Sequence, residues 1–258
     1  MYLKHFDFVS GFIIDYMHGV CSGVMKLLLT LWFSKEHKRA SFSFFPCRGS
    51  VNKILSLIKP TLGITRIPRS LDDIVHWKAS EFRNFLLYWG IPTLKGILST
   101  NYLLYFACLA KAIFILSLDT IQPNDLIVAE TLLFEFVKGF EDLYSLRYMT
   151  INVHQLVHLA DSVRRTGPLF AKNCSIFEDL NGFIVSHLHG TQSIESQVIK
   201  TINLIQAIPV LQEKFGGIDT EVDYFLDVLR GTARSSWNIL QSGVYQIGQF
   251  TIRTITKN

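Results

Sequence analysis

The pattern of apolar and polar residues along this chain predicts a protein built mainly from α-helices. Between residues 20 and 33 apolar side chains occupy nearly every face of a helix, which predicts a buried helix. Ser70 suits the N-cap of a helix that runs to about residue 89, because Asp72 and Asp73 would lie in its first turn. Pro123 favours the start of another helix, which continues to residue 140. Further helices are predicted over residues 51–58, 102–118, 152–165, 177–189, 193–208, 209–215 and 221–229.

Strand-like patterns are confined to the two ends of the chain. Residues 11–14 form a short apolar run that leads into Asp15, and residues 243–256 alternate apolar with polar side chains. A single strand near the start would have few partners and would leave its backbone groups unpaired. The pattern therefore predicts a mainly α protein with one leading strand.

Composition is typical of a folded intracellular protein. Apolar residues make up 49% of the 258 residues and charged residues only 18%, which excludes a disordered chain. The four cysteines are widely spaced without a C-x-x-C pair, which favours reduced thiols. Asp15 and Lys26 interrupt one long apolar stretch and Lys111 interrupts another, so we predict no membrane-spanning helix. Lys4, His5 and Asp7 precede the first apolar run and no small-residue cleavage site follows it, so we predict no signal peptide. We expect a soluble protein of the nucleus or the cytoplasm.

Charge is distributed unevenly, with a net charge of +4. Residues 1–59 carry eight lysines and arginines against three acids, whereas residues 119–142 carry six acids and one lysine. Basic ends around an acidic middle fit binding to nucleic acid or to an acidic partner. An ordinary solvated surface explains the same distribution equally well.

Two carboxylates are candidate metal ligands. Asp15 lies between a short apolar run and a helix, and Glu178 lies in a predicted helix of the C-terminal half. Hard cations such as Mg²⁺ and Mn²⁺ prefer carboxylate oxygens, so the pair suits metal-dependent phosphodiester chemistry. The alternative is that Asp15 caps a helix and Glu178 is a surface acid.

His154 and His158 are four residues apart and would share one face of a helix. This is the spacing of metal ligands, but Gln155 replaces the glutamate of the H-E-x-x-H metalloprotease motif. A zinc site would need two more ligands, for which His18 and Cys174 are the nearest candidates. The alternative is a pair of core histidines, or of histidines that orient a carboxylate.

Three basic residues of the same half, Arg164, Arg165 and Lys172, are candidates for binding a phosphate backbone. A solvated edge is the alternative for them. The sequence contains no nucleophile elbow, P-loop or G-x-G-x-x-G, so it offers no support for a triad hydrolase, a kinase or a dehydrogenase.

Asp15-Tyr-Met-His18 is the first of several short motifs that follow one another along the chain. The others are Ile58-Lys-Pro, Thr65-Arg-Ile-Pro-Arg-Ser70, His76-Trp-Lys-Ala-Ser-Glu81, Asn152-Val-His-Gln-Leu-Val-His-Leu159, Gly167-Pro-Leu169, Phe177-Glu-Asp-Leu-Asn-Gly182 and His189-Gly-Thr-Gln192. Together they resemble the C-terminal portion of CACTA-type (En/Spm) DNA transposases in their animal form. The resemblance covers residues 6–198.

The resemblance implies a DDE-type transposase, in which an RNase H-like core cuts and joins DNA with a divalent metal ion. Asp15 would be the second acid of that site and Glu178 the third, both as catalytic residues and as ligands of Mg²⁺ or Mn²⁺. His18, His154 and His158 would support the site. DNA is the implied partner, with no membrane involved, and a homo-oligomer is compatible with the family.

The same resemblance divides the chain into four parts. Residues 1–33 would be a remnant of the RNase H-like core, and residues 34–166 a large helical insertion. Residues 167–230 would be the C-terminal core helices, including the catalytic one, and residues 231–258 a short tail with a strand pattern. The fold class is thus mainly α, with an incomplete RNase H-like core interrupted by helices.

The first catalytic aspartate of the family pattern has no counterpart in this sequence. Asp7 cannot replace it, because Asp7 is only eight residues before Asp15, within the same approach segment. We therefore expect a truncated, transposase-derived protein that is inactive alone and does not hold Mg²⁺ or Mn²⁺ stably. The alternative is a helical module that binds DNA or protein without catalysis.

Overall fold

The computed structural model of this protein describes residues 13–61, 64, 66–215, 237–241 and 244–247. These residues are mostly helical, which confirms a mainly α protein. The chain divides into two compact units, Met1–Ile176 and Phe177–Asn258. Among the described residues, none of the helices has the length and apolar character that crossing a membrane requires.

The first unit consists of short and medium-length helices. Its described α-helices are α1 (Lys26–Phe33), α2 (Arg48–Leu57), α3 (Ala79–Asn84), α4 (Gly90–Leu94), α5 (Thr100–Leu116), α6 (Pro123–Tyr144), α7 (Ile151–His154) and α8 (Leu159–Thr166). Stretches of π-helix occur at Met17–Met25 and Phe85–Trp89. Turns of 3-10 helix occur at Lys35–His37, Phe45–Cys47, Leu71–His76, Leu146–Tyr148, Gln155–His158 and Leu169–Lys172.

Met17–Met25 and α1 follow each other directly and lie at the centre of the first unit; together they are here called the central helix. Leu28, Leu29 and Trp32 are fully enclosed, which confirms the predicted buried helix. A helix that is apolar on most of its faces must be covered on those faces. Residues of the predicted insertion, among them α3 and α7, supply that cover within one hydrophobic core. The division into a core remnant and an insertion remains a prediction.

The indole of Trp32 ties the central helix to α6. Its N–H donates a hydrogen bond of 3.0 Å to the hydroxyl of Tyr144, 112 positions along the chain. The ring of Phe106 in α5 meets the indole edge-on, with the ring centres 5.6 Å apart. Because a buried N–H must find an acceptor, this bond fixes which end of α6 lies against α1.

Helices α5 and α6 approach each other closely at Gly139. A Cβ atom at this position would lie 2.1 Å from the ring of Tyr105. A glycine is therefore needed here for the approach of the two helices, and not for any unusual backbone angle.

The single helix predicted over residues 70–89 is wrong. Ser70 does cap a helical turn, accepting a hydrogen bond from the N–H of Asp72, but that turn is Leu71–His76 and ends there. The carboxylate of Glu81 then accepts a hydrogen bond from the N–H of Lys78 and starts a new helix, α3. Two competing caps eleven residues apart thus divide the segment.

The predicted helix over residues 152–165 is also divided, into α7, the turn Gln155–His158 and α8. At the start of the chain, Ile13 and Ile14 have no regular structure. The rest of the predicted leading strand, residues 11 and 12, lies outside the described residues.

The second unit contains two described helices and a hairpin. They are α9 (Ser175–Ser186), which begins at the end of the first unit, and α10 (Ile194–Phe215). The predicted break at Pro209 is wrong, because α10 continues through it with one backbone donor fewer. Strands β1 (Trp237–Gln241) and β2 (Val244–Ile247) pair antiparallel, with Trp237 opposite Ile247. The helix predicted over residues 221–229 lies outside the described residues.

We predict that Tyr144→Phe lowers the free energy of unfolding by about 1–3 kcal/mol, because the Trp32 N–H would lose its acceptor in a site closed to water. Urea denaturation of the purified chain measures this loss. Tyr148→Phe is the matched control, since that hydroxyl is half-buried and its contact with His37 is longer, at 3.4 Å. Equal losses in the two variants would contradict a special role for the Trp32 bond.

Candidate functional site

Asp15 caps the N-terminal end of the central helix. Its carboxylate accepts hydrogen bonds of 3.1 Å from the backbone N–H groups of Met17 and His18. Its carbonyl accepts the first helical hydrogen bond, from the N–H of Gly19 at 2.9 Å. This is the geometry of an N-cap, in which a short polar side chain satisfies the free donors of the first turn.

Two further groups contact the Asp15 carboxylate. The Nδ1 atom of His18 hydrogen-bonds to Oδ2, and the N–H of Cys174 donates to Oδ1 at 3.4 Å. The Cys174 bond brings the segment before α9 to the start of the central helix. The His18 ring itself is 61% exposed, so the pair lies at the surface of the first unit.

Asp15 is held in its ionised form. Burial alone would raise its pKa, but the hydrogen bonds from the His18 side chain and from three backbone N–H groups together lower the pKa below the usual value. An ionised carboxylate at a rigid helix start suits cation binding as well as capping. Its oxygens are, however, already shared among four donors.

The described residues place no cluster of metal ligands around Asp15. Within them, no group of three or more His, Cys, Asp or Glu side chains lies close enough to share a metal ion. This also applies to the zinc set of His18, His154, His158 and Cys174. Asp15 is thus a single carboxylate whose observed role is structural.

Glu178, the second predicted catalytic acid, lies exposed in the first turn of α9. An acid in the first turn is favoured by the helix dipole. Glu178 belongs to the second unit and Asp15 to the first. Their approach to each other, and their shared binding of a metal ion, stay predictions.

His154 and His158 are both at the surface, so the interpretation as core histidines is wrong. They lie at the end of α7 and of the turn after it, with ring centres 5.4 Å apart. The buried residues of this segment are Val153 and Leu156, which face the core instead.

The two arginines predicted to bind DNA are engaged in ion pairs. Arg164 contacts Glu130 at 3.0 Å and Asp161 at 3.2 Å. Arg165 contacts the other oxygen of Asp161 at 2.9 Å. Two positive and two negative charges therefore lie together, and their combined field on a phosphate is weak.

Lys172 closes the C-terminal end of α8. Its ammonium donates hydrogen bonds to the carbonyl oxygens of Ser162 and Gly167, at 3.2 and 2.8 Å. Burial, with a smaller effect from the charge of Arg165, lowers the pKa of Lys172 to about 8. A lysine placed in this way is a helix cap first and a weak phosphate ligand second.

An arginine clamp holds the segment between α2 and α3, and the sequence gives no direct sign of it. Arg69 donates to both carboxylate oxygens of Glu81, at 2.6 and 2.7 Å, and to Asp73 at 2.6 Å. Burial would raise the pKa of Glu81, but the bonds from Arg69 and from the Lys78 N–H hold it below the usual value. Arg69 and Glu81 belong to two of the motifs named for the family resemblance, so part of the motif pattern has a structural explanation.

Two other motifs meet at Gly23. A Cβ atom there would lie 2.6 Å from the side-chain nitrogen of Asn152 and 2.8 Å from the carbonyl oxygen of His18. The close contact places α7 directly on the π-helix that follows Asp15. The motif residues around Asp15 and Asn152 therefore form one packed region of the first unit.

Comparison of the chain with protein-family models, with curated proteins and with solved structures finds no match.

We predict that Asp15→Ala lowers the free energy of unfolding by about 0.5–2 kcal/mol, the usual effect of losing an N-cap. Asp15→Asn should retain most of the cap at neutral pH and lose the charge. Because the folded-state pKa of Asp15 is lowered, its ionised form stabilises the fold above the unfolded pKa, and this contribution disappears as the pH falls through the folded pKa. The stability difference between wild type and Asp15→Asn should therefore shrink below about pH 4. Denaturation curves at several pH values measure it, and a constant difference across this range would contradict the assignment.

We also predict that Lys172 reacts with amine-directed acylating reagents at a lower pH than is usual for a lysine side chain. Its reactivity should be half-maximal at a pH of about 8, given its pKa of about 8. Peptide mapping after brief labelling at pH 7–11 gives the profile for each lysine. A Lys172 profile with a midpoint near pH 10 would show that its two carbonyl acceptors outweigh burial.

Proposed function

We propose that this protein is a transposase-derived helical module that binds DNA and does not cleave it alone. The observation that supports DNA binding is a stretch of exposed, unpaired positive charge in residues 34–66, here called the basic segment. It contains seven lysines and arginines and a single acid, Glu36. The resemblance to CACTA-type transposases supports DNA, rather than another polyanion, as the ligand.

Six of the seven cations in the basic segment are exposed: Lys35, Lys38, Arg39, Lys53, Lys59 and Arg66. Within the described part of the chain none of the six forms an ion pair, whereas the seventh, Arg48, contacts Asp72 at 2.7 Å. Apart from Arg66, whose charge also acts on Glu81, these cations leave their field to a ligand. A polyanion that contacts them releases its counterions, which drives binding at low salt.

Helix α2 gives part of the basic segment a fixed shape. Val51 and Leu55 are buried and anchor the helix, and Ser50 and Lys53 lie on its exposed side. Hydroxyl and ammonium groups on an exposed helix side are common ligands of phosphate oxygens. Contacts of this kind position a protein on DNA without reading its sequence, so we propose binding that depends on salt and little on base sequence.

The same proposal includes the origin of the chain. Residues 1–33 and 167–230 would descend from an RNase H-like core, in which Asp15 and Glu178 were metal-binding acids. The capping role of Asp15 supports loss of catalysis, because its oxygens already accept four hydrogen bonds. A homo-oligomer and a nuclear location are part of this proposal as family expectations.

Matched double variants test the proposed DNA surface. Lys38→Gln with Arg39→Gln removes two unpaired cations, and Arg164→Gln with Arg165→Gln removes two paired ones. We expect the first double variant to weaken binding and to reduce the slope of log K against log[salt] by about one for each phosphate that the protein no longer neutralises. The second should leave both quantities nearly unchanged. Fluorescence anisotropy with duplex DNA at 50–200 mM salt measures both, and equal effects of the two variants would contradict the assignment.

A nicking assay separates binding from catalysis. Supercoiled DNA incubated with the purified chain and Mg²⁺ or Mn²⁺ should remain intact while it is bound. Cleavage that Glu178→Ala abolishes would overturn the proposal and support the metal-dependent site of Asp15 and Glu178. Absence of both binding and cleavage would support a module for protein partners.

A further inference from the structure

His154 and His158 form a pair whose role is not explained by packing or by DNA binding. Both rings are at the surface, at the end of α7 and of the turn Gln155–His158. Their centres are 5.4 Å apart and their planes are inclined by 73°. The two imidazoles thus face one another edge to face across a short gap.

The ring nitrogens of this pair are not used by the rest of the described structure. Three of the other described histidines use a ring nitrogen: His18 with Asp15, His37 with Tyr148, and His187 with the carbonyl of Phe183. In the described ranges no hydrogen bond or ion pair reaches the rings of His154 and His158, which contact each other instead. Two imidazoles with available lone pairs on one short segment make a chelating unit.

The spacing of the rings fits one tetrahedral ion. With metal–nitrogen distances of about 2.0–2.1 Å, two imidazoles on a tetrahedral ion have ring centres roughly 5 Å apart. The observed separation of 5.4 Å is close to this value, and rotation of the two side chains would turn one nitrogen of each ring toward a shared ion. The backbone beneath is fixed, because Val153 and Leu156 are buried on either side of His154.

We propose that His154 and His158 together bind a d-block dication such as Zn²⁺, Ni²⁺ or Cu²⁺, with water in the remaining positions. Imidazole nitrogen suits these ions, whereas Mg²⁺ and Mn²⁺ prefer oxygen, so this site differs in chemistry from a DDE site. No carboxylate or carbonyl among the described residues orients either ring, and such partners normally strengthen binding. The affinity is therefore modest. This inference does not depend on the proposed DNA binding.

Titration calorimetry with Zn²⁺ tests the site on the full chain. We expect either His154→Gln or His158→Gln to weaken binding at least about tenfold, since each turns a chelate into a single ligand. His76→Gln is the matched control, because His76 is also exposed but has no histidine four residues away. It should leave the affinity unchanged. Circular dichroism verifies the fold of every variant.

Electron paramagnetic resonance with Cu²⁺ provides a second readout that does not depend on affinity. Wild-type chain should give the hyperfine pattern of two equatorial imidazole nitrogens, and each single variant that of one. A one-nitrogen pattern in wild type would overturn the proposal. Zn²⁺ binding that survives when His154→Gln and His158→Gln are combined would also overturn the proposal, because the ion would then be bound elsewhere.

Discussion

The first unit depends on the enclosure of one helix that is apolar on most of its faces. His18, Ser22, Lys26 and Thr30 recur every four residues on the one polar side, and the neighbouring elements turn their own apolar sides toward the rest of Met17–Met25 and α1. The indole N–H of Trp32 is a polar group deep in this core, and the Tyr144 hydroxyl is its acceptor. Because an unpaired N–H there would be costly, this hydrogen bond between residues 112 positions apart favours the arrangement in which the end of α6 lies against α1.

Enclosure of the helix also explains why an aspartate lies at its N-terminal end. The first turn of a buried helix presents N–H groups that neighbouring side chains or water must satisfy. Asp15 satisfies two of them and also binds His18 and the Cys174 N–H. Asp15 resembles a catalytic acid in the sequence, but its role as a helix cap is enough to explain an aspartate at this position. The two roles are compatible in principle, but a metal ion would have to compete for oxygens that are already shared.

Local patterns in the sequence predicted the elements whose causes are local. The buried central helix, the Ser70 cap and the helix that starts at Pro123 follow from residue types within a few positions of one another. The break before α3 does not, because it needs Arg69 to hold Glu81 in place as a second cap. The exposed position of the histidine pair was likewise not predictable, since periodicity identifies a shared helix face without showing whether that face lies inward.

The contrast between two sets of cations explains why the proposed DNA surface differs from the one that the sequence indicates. Arg164 and Arg165 are adjacent and look like a phosphate site, but Glu130 comes from a different helix, 34 residues away from Arg164. Asp161 reaches both arginines within α8, and the tertiary fold adds Glu130 to neutralise the group. Residues 34–66 include a helix predicted over residues 51–58, and in the described fold only the half-buried Arg48 among their seven cations forms an ion pair. The positive field available to a ligand is therefore determined by which cations remain unpaired after folding, and not by where arginines are most densely placed in the sequence.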